Sequence, residues 1–510
     1  MSNRKLLGSS FVITVISVMA LFFSSVAFSI GSVPNFGQDT AGVEDSAETG
    51  DYFGTVLASG DFDGDGCSDL ASGNPFEDIG NFQDAGQIHI FWCPKFDTED
   101  FSNNTAYDQG SPGWPGANES YDRLGNALAV GDFNGDGKDD LAVASAREDL
   151  GSKKNAGMVT VAYGEASGSL GSFQTINQGQ SKVVGASEPY DYFGYALAAG
   201  DLNNDGFDDL AIGAPYEDIG SISNAGGVNV LYGSANGLRK DNDQFFGQNS
   251  PGVNGGAEDG DQFGRSLAIG DVNGDGFDDL VVGVPYEDIG SIQRCGMIQI
   301  LWGTSSRLTS AGDVDYHQST KGVPGVCEAN DRFGISLSAG DVGGDGKAEI
   351  AIGIPYEKVG STVDAGWVLI INSTGTYQGI NQGTPGVIGG VETGDKFGAQ
   401  VHLVDFTDDD AADLIVGAIA EDIGSIRNVG AVYTFESENG AIGFANDKAY
   451  HPGSSRIGGT AVADSYFGYF NGITYLETQG FVLAGDEGPA NGAAANSGSV
   501  YYFQGAVPTQ

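Results

Sequence analysis

The sequence predicts an all-β protein: a seven-bladed β-propeller with four antiparallel strands per blade, its ring closed by the N-terminal strand. Three observations predict it. An aromatic- or Leu-Gly pair recurs as Phe53-Gly54, Leu124-Gly125, Phe193-Gly194, Phe263-Gly264, Phe333-Gly334, Phe397-Gly398 and Phe467-Gly468, at intervals of 64 to 71 residues. A fixed period of that kind marks an array in which each unit buries its apolar face against the next. Each of the first six pairs leads into an acidic turn and a short apolar run, as in GDVNGDGFDDLVVGVPYEDIG from Gly270. Finally, the unit at the C-terminal end lacks one strand, and a spare copy of that strand stands at the N-terminal end.

Each unit divides into four strands. In the fourth, strand a (265–272) follows the Phe-Gly pair and alternates small and apolar residues. The acidic turn leads to strand b (280–284), an apolar β-branched run that Pro285 ends. The connection PYEDIGSIQRCG leads to strand c (297–302). A polar turn then reaches a weaker outer strand d, marked by phrases such as Asn177-Gln178-Gly179, Gly247-Gln248-Asn249 and Asn381-Gln382-Gly383. Four antiparallel strands repeated in this way make blades, and blades closed around an axis make a propeller.

The seventh unit reads as strand a (469–475), a turn (477–480), strand b (481–484) and strand c (499–503), with no strand d. The phrase Asn35-Phe36-Gly37-Gln38 stands unpartnered ahead of the first pair. Residues 33–42 are therefore expected to supply the missing outer strand, which removes the open edges of a linear stack. Residues 30–510 form one domain, with repeats near 48–118, 119–187, 188–257, 258–327, 328–391, 392–460 and 461–510.

Charge excludes whole classes of partner. The chain has 69 acidic and 22 basic residues, a formal net charge of −47. Phosphate neutralisation needs Lys and Arg, so a nucleic-acid partner is excluded, and an anionic membrane surface is disfavoured for the same reason. Residues 1–29 read as a secretory signal peptide. Arg4 and Lys5 form its basic start, 11–23 its apolar stretch, and Ser25-Val26-Ala27 or Ala27-Phe28-Ser29 its cleavage site. The mature chain is expected to be secreted, without a membrane span, and monomeric.

The acidic turns carry the chemistry. Asp271, Asn273 and Asp275 alternate, Asp279 follows four residues later, and Gly276 allows the sharp turn between them. Oxygen ligands at that spacing wrap a hard cation, and six to eight oxygens at roughly 2.3–2.6 Å describe calcium. One such turn is ambiguous, since a solvated acidic turn reads alike. Six in register point to calcium.

The Phe-Gly pair, the Asp-x-Asn-x-Asp-Gly loop and Gly213-Ala214-Pro215 together resemble FG-GAP repeats, the unit of the propeller at the N-terminus of integrin α subunits. The resemblance covers the mature chain and is closest to free-standing secreted FG-GAP proteins of the bacterial type. It implies calcium-stabilised extracellular recognition or adhesion of a protein or glycan, with the ligand site on loops of one face. It also assigns side-chain ligands to loop positions one, three, five and nine and a backbone carbonyl to position seven. These are Asp61, Asp63, Asp65, Cys67 and Asp69 in the first loop, and Asp132, Asn134, Asp136, Lys138 and Asp140 in the second. The third has Asp201, Asn203, Asp205, Phe207 and Asp209, and the fourth, the best formed, Asp271, Asn273, Asp275, Phe277 and Asp279. Gly343 removes a ligand from the fifth, leaving Asp341, Asp345, Lys347 and Glu349. In the sixth, Asp410 replaces the turn glycine beside Asp405, Thr407, Asp409, Ala411 and Asp413, so that loop is expected to bind weakly. About four to six structural calcium ions are expected.

Strand direction restricts the four cysteines of an exported chain. Cys67 and Cys93 fall on the calcium-loop face of blade one, and Cys295 and Cys327 on the opposite face of blade four, so those two pairs are expected. After strand b the repeats carry Glu77-Asp78, Glu148-Asp149, Glu217-Asp218, Glu287-Asp288 and Glu421-Asp422, with Glu357-Lys358 as the exception. A second acidic pair, such as Glu258 and Asp261, precedes each of the first six Phe-Gly or Leu-Gly pairs. A ring of carboxylates for a glycan or cation is one reading of these sets. Turn capping, repeated because the blade is repeated, is the expected one. No catalytic constellation is visible, because every acidic pair recurs by symmetry and His89, His317, His402 and His451 share no motif. A hydrolase or lyase on extracellular polysaccharide and a matrix-assembly protein are the alternatives.

Overall fold

The computed structural model describes residues 35–96, 98–454, 461–468, 472–476, 478–486 and 496–504. They form seven four-stranded antiparallel sheets and one small hairpin, Ser437–Glu438 with Ala441–Ile442, and no helix occurs among them. No helix there is long and apolar enough to cross a membrane. The proposed secretory signal lies outside the described residues.

Blade four shows the pattern: strand a is Ser266–Gly270, b is Asp279–Val284, c is Met297–Trp302 and d is Thr309–Tyr316. All six residues of strand b are buried, because neighbouring blades cover both of its faces. Strand d is half exposed and marks the rim. The innermost strand of each blade touches those of its two neighbours, and that of the seventh (Ile473–Leu476) touches that of the first (Val56–Gly60). The sheets thus form a closed ring.

Closure uses the N-terminal segment. Asn35 and Phe36 pair with Tyr501 and Val500 on strand c of blade seven (Ser499–Gln504), whose strand b is Phe481–Asp486. Among the described residues the pairing extends over two, fewer than the segment 33–42 suggested, and packing adds to its hold. Phe36 is 1% exposed, stacks on Phe101 at 4.2 Å and meets Phe91 edge-on at 5.1 Å. Those two rings belong to blade one or its c–d connection, so one side chain joins the first and last blades.

The Phe-Gly pair is explained by a close approach. A Cβ on Gly213 of strand b would lie 2.2 Å from the carbonyl oxygen of Gly264 in the next blade, and one on Gly283 would lie 2.4 Å from that of Gly334. A Cβ at either glycine would collide with the neighbouring blade, and at the blade two–three seam, where Ala144 takes this place, it faces Gly194. The preceding ring then fills the seam: Phe263 is fully buried, and its N–H donates to the Ala225 carbonyl at 2.9 Å. Phe53 repeats this contact across the closure, donating its N–H to the Ser497 carbonyl at 2.9 Å.

The Asn-Gln phrases prove to be the turn after strand d rather than part of it. Strand d of blade two ends at Ile176, just before Asn177. Both expected disulfides are present, Cys67–Cys93 and Cys295–Cys327.

Candidate metal loops and the axial cavity

The acidic turns join strands a and b at one face of the disc. The first residue of each loop organises the turn. Asp61 accepts the N–H groups of Asp65 and Gly66, and Asp271 accepts those of Gly274, Asp275 and Gly276. Position nine stands behind them as the buried first residue of strand b. Asp69 accepts N–H groups from Phe62 and Cys93, and Asp279 accepts those of Val272 and Gly303. Burial pushes the Asp69, Asp140 and Asp279 carboxyls up to about 7, against the backbone donors that lower them.

Among the described residues, the group with carboxylate oxygens close enough to share one ion is Asp61, Asp63 and Asp65, within 4.8 Å of one another. Loops two to four place Asn at position three, and its amide Nδ2 faces the position-nine carboxylate, as Asn134 does toward Asp140 at 3.2 Å. Asn203 and Asn273 do the same toward Asp209 and Asp279. Turning that amide over would present oxygen instead, so the donor set fits a hard cation in these loops too. In loop two the Lys138 ammonium already lies 2.7 Å from Asp136 and competes for that charge. Loop five keeps Asp341 and Asp345 around the Gly343 gap, and Glu349 receives the Gly343 N–H. In loop six Asp405 still accepts four N–H groups despite Asp410, which adopts φ of 67°.

On the opposite face the acidic pairs cap turns. The Asp of each pair before Phe-Gly accepts the N–H of its partner Glu: Asp51 from Glu48, Asp191 from Glu188, Asp261 from Glu258. After strand b, Asp78, Asp149, Asp218, Asp288 and Asp422 each accept the N–H six residues on. Lys358, the exception, pairs with Glu328 at 2.8 Å instead.

The Glu of the second set has another role, which the sequence reading missed. The Gln after each strand d donates its Nε2 to the Glu of the next blade: Gln38 to Glu77, Gln109 to Glu148, Gln178 to Glu217, Gln248 to Glu287, Gln318 to Glu357 and Gln382 to Glu421, at 2.5 to 3.1 Å. These clasps are buried and cross every seam from the seventh–first to the fifth–sixth. Burial raises the carboxyls, that of Glu77 to about 9 and those of Glu217 and Glu421 to about 8. Every pair is 39 residues apart, a constant spacing that could have revealed it.

The second feature missed is at the axis. A cavity of about 830 Å³ runs between the inner strands, and its lining among the described residues includes Arg123, Arg147, Arg265, Arg332 and Lys396 but no acidic residue. These side chains vary from blade to blade, so a reading built on periodicity passes over them.

A family model for the FG-GAP repeat matches residues 53–91, 124–161, 193–231, 263–296 and 333–371. Integrin alpha pat-2 of Caenorhabditis briggsae is 32% identical over 270 residues, covering 50% of this chain and 20% of that protein. Phosphatidylinositol-glycan-specific phospholipase D of Bos taurus is 32% identical over 192 residues, covering 37% of this chain and 22% of that one. Integrin alpha-V of Gallus gallus is 30% identical over 270 residues, covering 51% and 22%. The chain thus spans less than a quarter of each of these relatives, at 20% to 22%. A solved structure titled "Structure of Dos1 propeller" aligns over 92% of this chain and 95% of that one at 10% identity with a TM-score of 0.42, too low to bear on the reading. Five matched repeats, set in a ring of four-stranded antiparallel blades, make this chain an integrin-alpha-like FG-GAP β-propeller.

Proposed function

We propose that the protein is a secreted recognition or adhesion module, held rigid by calcium in its a–b loops and binding an extracellular protein or glycan. The observation that carries this reading is the set of six acidic loops on one face, with three carboxylates converging in the first. Loops one to four would hold calcium through Asp61, Asp132, Asp201 and Asp271 and their partners at positions three, five, seven and nine; loops five and six would hold it more weakly. The ion would neutralise charge that the loops otherwise keep close together. The two disulfides fit the oxidising compartment that a signal peptide at 1–29 would lead to. A glycan-array and cell-binding screen with and without calcium tests the proposal. Calcium-dependent binding supports it, and a protein that melts identically in excess chelator and binds nothing refutes it.

A second reading is an enzyme, favoured by relatives named as phosphatidylinositol-glycan-specific phospholipase D. Against it, the acidic residues after strand b and before Phe-Gly are engaged as caps and clasps. Hydrolysis of a glycosylphosphatidylinositol-anchored substrate by the purified chain would decide for it.

A further inference from the structure

The axial cavity concentrates positive charge in a strongly negative protein. With 69 acidic and 22 basic residues in the chain, five Arg or Lys side chains and, among the described residues, no acidic one line this single space. They alternate with aromatic rings in an arc through successive blades. The Arg123 guanidinium sits 4.3 Å over Phe76, and Arg147 5.7 Å over Tyr192. Arg265 lies 4.4 Å over Tyr195, Arg332 lies 5.1 Å over Tyr286 and 4.3 Å over Tyr356, and Lys396 lies 5.5 Å over Tyr356. The positions are equivalent from blade to blade, flanking Phe-Gly or following strand b, but the residues are not. Blade six has Ala399 where blades three and four have Tyr195 and Arg265, and Ala420 where blades one to five have an aromatic residue or Arg, so the arc is open on one side.

Stacking on a ring face fixes a guanidinium and leaves its in-plane N–H groups for an acceptor. Arg147, Arg265, Arg332 and Lys396 form no ion pair among the described residues, and Arg123 meets Asp84 at 3.4 Å. The Nε groups of Arg123 and Arg332 are buried without any partner. Arg265 Nη1 donates to the Tyr216 hydroxyl at 3.0 Å and to Gln262 Oε1 at 2.8 Å, which holds it in place. Cations with one carboxylate partner among the five, and spare donors on Arg123 and Arg332, are what an anion site requires.

We propose that this cavity binds a compact anion: one or two carboxylate or sulfate groups on a body small enough for about 830 Å³, such as a sugar acid. A long polyanion lying across the face is disfavoured, because the same face carries a belt of carboxylates including Asp78, Asp149, Glu258 and Asp288. Repulsion from that belt acts over about 8 Å at physiological salt, so the favourable field is confined to the axis. The anion is either a free small acid or the acidic end of a glycan chain.

Calorimetric titration of the intact calcium-loaded protein distinguishes these sources. The probes are glucuronate, a tetrasaccharide ending in glucuronate, sulfate, neutral glucose and polyglutamate. Glucuronate or the tetrasaccharide should bind, weaken as salt rises and compete with sulfate, while glucose should not bind. Tighter binding of the monosaccharide points to a free acid, and tighter binding of the tetrasaccharide to a glycan end. R265Q and R332Q should each lose about tenfold or more in affinity. R239Q, on the rim strand of blade three, should leave it unchanged. Equal binding of glucose, no response to either substitution in proteins of unchanged melting temperature, or preference for polyglutamate would each overturn the proposal, the last in favour of an acidic protein partner. Should the variants unfold, the wild-type titration decides alone: no heat with any of the three small anions sinks it.

Discussion

Truncating Phe36 to Ala should open the ring. Phe36 is 1% exposed and surrounded by Phe53, Phe91, Phe96 and Phe101, with centroids at 4.2 to 6.3 Å. Removing a buried phenyl ring costs about 3–5 kcal/mol, the larger values arising where the site cannot collapse. Here the walls are aromatic rings anchored in blade one, while Phe36 itself is carried on the edge of blade seven, so collapse requires blades to move. Two paired residues of backbone offer little in compensation. Chemical denaturation should show a loss near the upper end of that range. Hydrogen exchange should show protection lost along Ser499–Gln504, more than 460 residues from the substitution. Exchange confined to the first blade around Val56–Gly60, or a loss below about 1 kcal/mol, would show that the segment pairs locally and does not close the ring.

Three further outcomes are expected. Gln178→Leu leaves the buried Glu217 without its donor and should cost about 1–3 kcal/mol, most of it recovered in the double variant with Glu217→Leu; a purely additive cycle would refute the clasp. In saturating calcium, stability should fall as pH rises from about 5 to 9. Glu77 titrates at about 9 when folded, raised by burial and then by Asp51, with Asp45 and Glu48 acting the same way and Gln38 opposing; the folded protein therefore holds protons that an unfolded chain, titrating near 4.5, has released. That contribution is complete below the unfolded value and is lost as pH passes the folded one, by up to about 1.4 kcal/mol per pH unit for each such group, and a melting temperature that climbs over this window would contradict it. Chelation should lower the melting temperature, and Asp275→Ala should cost more of the calcium-dependent shift than Asp345→Ala, whose loop already lacks a ligand at Gly343; equal shifts would mean loop five is as good a site as loop four.

Much of this fold was legible because it is written many times over. Strand c of blade four was bounded correctly from sequence, and strands a and b to within a residue or two, since β-branched runs such as 280–284 end at Pro285 where the ladder must stop. Both disulfides followed from strand direction, which period and antiparallel order determine. Pairing between blades was not legible. Gln178 was visible as a marker after strand d, and Glu217 as an acid after strand b, but nothing local says that one donates to the other. Their contact depends on blades two and three packing at the distance that Gly194 permits, where an added Cβ would lie 3.1 Å from that of Ala144.

The repeat also shows how such a pair is lost. At the seam between blades six and seven, Pro452 stands where the clasp Gln would be, and the stretch that would carry the clasp Glu lies outside the described residues. Losing only the Gln would strand a buried carboxyl, and losing only the Glu would strand a buried amide; either costs more than the bond is worth. The arc of axial cations ends in blade six at Lys396, beyond which the blade carries Ala399 and Ala420. Symmetry is kept where blades must fit one another and broken around the axis, where blades need not match. The residues that vary there, Arg147 against Tyr216 and Tyr286 at the equivalent place after strand b, are free of the packing constraint that fixes Gly213. Function in such a ring is to be sought in the positions that the period does not explain.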